Sequence, residues 1–516
     1  MPMALYSLVV VVPILAIGFK DYFQKKQSIL RNFPVLGHFR YLMEAIRPEI
    51  HQYFIETNSE GKPFSRENRS LIYQRAKKVT DTLPFGTQKN VYEIGYEWVN
   101  HSIAPQFCDL NEMNVVVGGP QCTKPYIASR FNISAMSYGA LSKNAILALS
   151  EGAKMGKFYH NTGEGGLSPY HIKGGGDLVW QIGTGYFGCR DTEGNFSAEK
   201  FQEKAVRDQV KMIEIKLSQG AKPGHGGLLP ASKVTKEISE IRGVEMGQDV
   251  HSPSYHKAFK TPTELLGFVK KLRDLSGGKP VGFKLCVGKR HEFAAICKAI
   301  IKTGIYPDFV TVDGGEGGTG AAPLEFSNHV GTPLRDGLIL VHNSLIGFGL
   351  RDKIRVIASG KITTGFEIVS KLCIGADICN SARGMMMALG CIQALQCNTN
   401  KCPTGVATQD PNLVQGLDVM TKSVRVFNFH KETLKSATDM IGAMGLKNPL
   451  ELKPFFLIRR YSETEVRNYT QMYEYLKEGD LLHEPYPDSY KFAMTRSSPD
   501  TFSALELNSD EYAKAA

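Results

Sequence analysis

The chain has 516 residues, room for one large barrel with extensions or for two or three domains. A hydrophobic content of 42% and a charged content of 22% describe an ordinary folded protein, and a net charge of +10 over this length is a solvated surface rather than a nucleic-acid footprint. Ten cysteines are present; seven are scattered, several on apolar runs, which points to reduced thiols rather than a disulfide framework.

Met1 to Phe19, MPMALYSLVVVVPILAIGF, carries no charged side chain. A membrane-spanning helix needs about 20 apolar residues, so the stretch predicts a single transmembrane anchor over residues 1–19. Pro13 is tolerated in such a helix. Lys20, Lys25, Lys26 and Arg31 follow, which puts the rest of the chain in the cytoplasm, tethered to the inner membrane. A cleaved signal peptide, with Ala16-Ile17-Gly18 as its site, fits less well because no basic residue precedes the apolar run. A buried N-terminal helix is the other alternative. Residues 20–110 read as a helical juxtamembrane region, with amphipathic spacing at Arg40 to Phe54 and Ser70 to Thr80 and no chemical motif.

From residue 111 to 425 the pattern is strand, Gly-rich loop, helix, repeated. Phe131 to Met136 is strand-like, then loop and helix follow; Phe158 to Asn161 leads into NTGEGG. Phe201 to Ser218 is expected to be a helix, closed by GAKPGHGG. Helices are predicted at Thr261 to Leu275, Glu292 to Thr303 and Phe366 to Cys373. Strands are predicted at Val281 to Cys286, Phe309 to Val312, Ile354 to Ala358 and Ala376 to Cys379. Alternation at this pace implies parallel strands with crossover helices, and about eight units favour a (β/α)8 TIM barrel.

Two loops suit a phosphate. SGK at Ser359, Gly360 and Lys361, and SARG at Ser381, Ala382, Arg383 and Gly384, end the last two strands, where such barrels commonly bind one. Either loop alone is equally a tight turn. No G-x-G-x-x-G fingerprint with a following ribose-binding acid marks a nicotinamide site.

The next stretch is CIQALQCNTNKCPTGVATQD, with Cys391, Cys397 and Cys402 and with Pro403 directly after the last. Thiolates are soft ligands, and a Cys-Pro ending is common in iron–sulfur loops. Three thiols without a nearby fourth suit a three-iron cluster better than a four-iron one. Tetrahedral zinc wants a fourth ligand, and no His lies in the run. Three buried core cysteines are the bland alternative.

At this point the chain resembles the FMN-binding synthase domain of glutamate synthase, in its short stand-alone form. The matching runs are SAMSYGALS at 134–142, NTGEGG at 161–166, EIKLSQGAKPGHGGLLP at 214–230, DGGEGGTGAAP at 313–323 and ALGCIQALQCNTNKCPTGVATQ at 388–409. The resemblance implies a barrel that holds FMN and a [3Fe–4S] cluster on Cys391, Cys397 and Cys402. It implies reductive amination of 2-oxoglutarate by ammonia, through 2-iminoglutarate, with hydride from FMN and electrons relayed by the cluster.

It also implies roles. Lys284, alternating inward on FKLC, lies over the flavin edge. Met136, Ser137, Gln181, Gly317, Gly318 and Thr319 line the flavin, and Gly360, Lys361, Ala382 and Arg383 take its phosphate. Lys222 and Arg242 hold substrate carboxylates, as cations suit a dianion. Glu164 sits in the loop that gates ammonia entry. Catalytic roles fall to Lys284, Glu164 and Lys222. The chain departs from the family pattern at His225 (Glu in the family), Leu228 (Gln) and Tyr186 (Arg), which bears on the identity of the oxo acid.

No amidotransferase domain precedes the barrel, so glutamine hydrolysis is not expected. Electrons are expected from ferredoxin, another reductase or a membrane donor. The alternatives are an FMN and iron–sulfur oxidoreductase for another oxo or hydroxy acid, with His225 as acid–base, or a non-catalytic electron-transfer subunit. Residues 426–516 read as a helical extension. Leu413 to Met444 is helical, and Ser462 to Leu476 and Ser503 to Tyr512 form a polar helical tail, with Ser462 and Glu465 as a capping box.

Overall fold

The computed structural model describes residues 2–79 and 81–506, with the side chains of residues 2–7 outside that description. The chain divides into two compact units, residues 1–69 and 70–516.

In the first unit, helices run over Pro2–Phe23, Ser28–Asn32 and Gly37–Ile50, and a π-helical turn follows at His51–Ile55. Asp21 is buried; it accepts the Val35 N–H at 2.9 Å and meets His38 Nε2 at 2.9 Å, which ties the end of the first helix to the third. No helix among the described residues is long and apolar enough to cross a membrane. The expected transmembrane anchor at Met1 to Phe19, and the inner-membrane location that followed from it, are therefore overturned. Met1 lies outside the described residues. The described apolar side chains run from Leu8 to Phe19. Lys20 and the buried Asp21 follow that stretch within the same helix.

The second unit contains a closed barrel of eight parallel strands. They are β1 (Phe131–Ile133), β2 (Tyr159–Asn161), β3 (Asp177–Ile182), β4 (Val210–Lys216), β5 (Val281–Leu285), β6 (Phe309–Asp313), β7 (Arg355–Ser359) and β8 (Ile378–Ser381). Each pairs with its successor, and β8 pairs with β1. The TIM-barrel expectation agrees with this. The helix expected at Phe201 to Ser218 does not form as one piece: a helix at Ala198–Ala205 gives way to β4, and β3 is a further strand.

The residues of β4 explain the misreading. Met212, Glu214 and Lys216 alternate inward, so two charges occupy positions where a half-buried strand would show apolar side chains. The apolar period alone then fits a helix as well as a strand. Inside the barrel the layers are sharply divided. The lower layer holds Tyr159, Val179, Met212, Phe309, Ile357 and Ile378. A β-hairpin over Asn114–Val117 and Tyr126–Ser129 adds Val115, Val117, Tyr126 and Ala128 to that cluster and closes the N-terminal end. Gly282 on β5 is required here, because a Cβ would meet the Phe309 carbonyl at 2.2 Å.

After the barrel a long helix covers Val419–Ala443. The polar tail is not helical throughout. Leu457–Arg460 and Val466–Asn468 form an antiparallel sheet with Glu97–Val99. Ser462 Oγ accepts the Glu465 N–H at 3.2 Å, so the Ser-x-x-Glu pattern closes the turn between two strands. The helix cap lies six positions on, where Asn468 and Gln471 cap a short helix at Tyr469–Met472. Of the second expected tail helix, residues 507–512 lie outside the described residues.

Candidate active site at the mouth of the barrel

The C-terminal ends of β1, β2 and β4 bring four charged side chains together. Glu164 follows β2 and Lys216 ends β4; their side chains form an ion pair at 2.6 Å and are both largely shielded from solvent. Lys222 lies six residues beyond Lys216 and is 2% exposed. Arg242 ends the helix Lys236–Arg242 and is 5% exposed. Its Nη2 donates to the Tyr138 carbonyl at 3.0 Å and to Ser137 Oγ at 3.4 Å, and its guanidinium lies 5.2 Å from the centre of the Phe187 ring. Its Nε is buried and has no partner.

The titration tendencies follow from this crowding. Burial raises the Glu164 carboxyl, but Lys216, Arg242 and Lys222 more than offset it and leave it below the usual range. Burial depresses the Lys222 ammonium, Lys216 adds to the effect and Glu164 opposes it. Burial also brings Arg242 down to about 10, with Glu164 opposing. One carboxylate therefore faces three cations, and the site carries surplus positive charge.

The loops after β1 and β2 touch. Gly163 sits at φ +63°, and a Cβ there would meet the Ser137 backbone nitrogen at 2.7 Å. This contact sets Met136 and Ser137 beside Glu164. Lys284 on β5 is buried, and its ammonium lies 3.3 Å from Asp313 at the end of β6. Asp313 also accepts the Gly220 N–H at 2.7 Å, so one carboxylate restrains both Lys284 and the loop that carries Lys222. Asp313 was not among the predicted residues. The available signal was an acid ending a strand next to one that carries an inward lysine.

Gln181 lies one layer lower. Its amide donates at 2.6 Å to Glu214, which also accepts from Asn161 at 2.8 Å and Thr311 at 2.7 Å. Glu214 is 1% exposed and forms a polar floor directly above the apolar layer. Sequence patterning passed over it because it falls within the stretch expected to be helical.

Gly317, Gly318 and Thr319 form the loop after β6. A Cβ at Gly318 would meet the Arg383 guanidinium at 2.8 Å, and Arg383 donates to the Glu316 carbonyl at 2.8 Å. Thr319 is exposed. Gly360 and Lys361 follow β7, with Lys361 in the left-handed region at φ +52°. Ala382 precedes the short helix Arg383–Leu389 after β8. The loops after β6, β7 and β8 therefore converge on one side of the mouth.

Among the departures, His225 is exposed, its Nδ1 2.9 Å from the Gly226 carbonyl. Leu228 pairs with His251 in a two-residue ladder. Tyr186 is fully buried and has a structural task. Its hydroxyl accepts the Ala258 N–H at 3.0 Å and lies 3.1 Å from His256 Nδ1, while His256 Nε2 lies 2.9 Å from the Lys216 carbonyl. One tautomer satisfies the chain: Nε2 donates to Lys216, and Nδ1 accepts from Tyr186. Burial pushes His256 down to about 4, so the chain is neutral near pH 7.

The three cysteines lie on the loop beyond the helix after β8. Cys391 Sγ accepts the Gln393 N–H at 3.4 Å, and Cys402 Sγ lies 3.5 Å from Thr404 Oγ1. Burial raises Cys391 to about 11 and raises Cys397, and each is raised further by neighbouring thiols of the set. Cys402 goes the other way. Burial works to raise it, yet hydrogen bonds from the Thr404 side chain and from the backbone near Ala407, Thr404 and Val406 bring it below its ordinary value. Among the described residues no three His, Cys, Asp or Glu side chains are grouped as ligands of one metal ion.

A family profile described as "Conserved region in glutamate synthase" matches residues 73–447. The chain belongs to the glutamate synthase family. Within that family, the glutamate synthase large subunit-like protein YerD of Bacillus subtilis is 38% identical, over 87% of this chain and 93% of that protein. The archaeal glutamate synthase [NADPH] of Methanocaldococcus jannaschii is 36% identical over 61% of this chain. The match spans 59% of that relative's length. The recombinant flavin-binding domain of baker's yeast flavocytochrome b2 superposes with a TM-score of 0.43 at 12% identity, covering 89% of this chain and 93% of that one; no function is read across at that level.

Proposed function

We propose that this glutamate synthase family member is an oxidoreductase that reductively aminates 2-oxoglutarate, or a closely similar oxo acid, with free or delivered ammonia. The observation that carries the reading is the buried Arg242, whose Nε has no partner, beside Lys222 and the Glu164–Lys216 pair. A small dicarboxylate satisfies both the spare donor and the surplus positive charge.

The residues present fit the cofactors that the family implies. Lys284 offers positive charge at the mouth, and Met136, Ser137 and Gln181 line the side between β1 and β3. Gly317, Gly318 and Thr319 border the opposite side, and Gly360, Lys361, Ala382 and Arg383 would take a phosphate. Cys391, Cys397 and Cys402 are a donor set for a [3Fe–4S] cluster, and hydrogen bonds bring the Cys402 thiol below its ordinary value. Sulfurs that each serve a different iron stand further apart than ligands of one ion. When bound, FMN supplies hydride transfer to carbon and the cluster supplies single electrons.

The chain's own residues do the placing. Lys222 and Arg242 orient the two carboxylates of the substrate. Glu164, kept ionised by its cations, accepts N–H from ammonia arriving at the mouth. The neutral Tyr186–His256 chain holds Lys216 in place. Asp313 keeps Lys284 aimed inward. In this reading residues 111–425 form the catalytic domain, flanked by residues 20–110 and an extension over 426–516, and ferredoxin or another reductase brings electrons.

The test is anaerobic purification with visible spectrum, flavin and iron assays, then turnover with reduced viologen or ferredoxin, 2-oxoglutarate and ammonium. Bound flavin and iron with formation of glutamate are expected. A colourless, iron-free protein refutes the cofactor assignment. Full cofactor content without glutamate refutes the substrate.

A further inference from the structure

Lys233 is 2% exposed and sits on a single 3-10 turn, Ala231–Lys233, outside the barrel strands. Its ammonium donates to three backbone carbonyls: Cys397 at 2.7 Å, Ala407 at 2.8 Å and Ala140 at 3.2 Å. All three N–H bonds are used, so the ammonium is held in one place. Two of the carbonyls belong to the cysteine loop and its tail; the third belongs to the loop after β1.

No carboxylate lies within ion-pair distance of Lys233 among the described residues. A buried ammonium without a counter-charge is destabilising, and carbonyl dipoles offset only part of that. The cysteine loop lies nearest to this ammonium, which donates to the Cys397 carbonyl at 2.7 Å. Cys402 independently collects hydrogen-bond donors from Thr404 and the following backbone. Two unrelated devices, a buried cation and a set of N–H donors, therefore serve negative charge at one place.

We infer that Lys233 is a positioning residue which pins the cysteine loop to the barrel mouth and, by its fixed charge, raises the reduction potential of the cluster carried there. This rests on the cluster reading above. Reduction adds one electron from a one-electron donor such as reduced viologen, with no bond or proton change at Lys233. The added negative charge is stabilised by the ammonium, so reduction is favoured over what the loop alone would allow.

Wild type, Lys233→Gln and Lys233→Arg are purified anaerobically as the full chain and reconstituted with iron and sulfide. Iron content, electron paramagnetic resonance and a redox titration of the cluster signal are read for each. The expected result is that the potential follows charge. Lys233→Arg stays near wild type, and Lys233→Gln loses at least about tenfold in the equilibrium constant for reduction, about 59 mV for one electron. Loss of iron from Lys233→Gln alone also supports the inference, because the cluster is anionic. Equal potentials in all three proteins overturn it, as does an equal change, or an equal loss of iron, in both variants. An iron-free wild type fails earlier and sinks the cluster reading itself.

Discussion

Arg242→Met separates binding from stability. In the free protein the guanidinium holds the Tyr138 carbonyl at 3.0 Å and lies over Phe187 at 5.2 Å, while its Nε has no partner. The first two contacts exist with or without substrate, so their loss lowers the thermal unfolding midpoint and cancels from the affinity. The spare Nε is what a carboxylate would engage. Removing one charge-assisted hydrogen bond forfeits about 1.5–3 kcal/mol, roughly 10- to 150-fold in Kd. Burial places the effect at the upper end, because little water reaches the site to compensate. The assay is calorimetric titration of 2-oxoglutarate into oxidised protein at fixed ionic strength, since the site is cationic. A Kd within twofold of wild type, in a variant with native near-ultraviolet dichroism, would refute the assignment of Arg242 to the substrate.

Asp308→Asn should be the costlier change for the fold. Asp308 pairs with Arg273 at 2.9 Å and accepts backbone N–H from Val281 at 2.7 Å and Gly119 at 2.6 Å, and both ion-pair side chains are under 5% exposed. Leaving Arg273 buried without its counter-charge costs about 3–5 kcal/mol, a drop of about 3–5 °C in the midpoint for a chain of this size; a drop under 1 °C would count against it. Acid should weaken the protein through its buried histidines. His256 has a folded value of about 4 against an ordinary 6.5, so between these values the unfolded chain binds a proton that the folded chain refuses. Stability is therefore full above pH 6.5 and falls towards pH 4, by on the order of 3 kcal/mol from this group. His256→Gln should flatten the dependence of midpoint on pH; curves parallel to wild type would exclude this residue as a source.

The barrel was legible because helices and strands alternate with Gly-rich loops at the pace a βαβ unit requires. Six of its strands were visible as apolar runs. Asp177–Ile182 and Val210–Lys216 were not, because Gln181, Glu214 and Lys216 face a polar interior and break the period that marks a strand. The apolar run at the N-terminus was read as a membrane span, and no helix among the described residues is long and apolar enough to cross one. Ser462 and Glu465 follow the rule for a helix cap, yet the same hydrogen bond closes a hairpin turn. Local patterns name the bond and leave its setting open.

By itself the order of amino acids determined the barrel class, the strand ends that carry polar loops, and the cysteine spacing with its proline. These are properties of neighbours along the chain, where period and composition speak directly. Only the tertiary structure decided that Asp313 restrains both Lys284 and the Lys222 loop, that Tyr186 supports Lys216 through His256, and that Lys233 is buried against the cysteine loop. Each of these joins residues far apart in the chain, and barrel closure sets which of them meet.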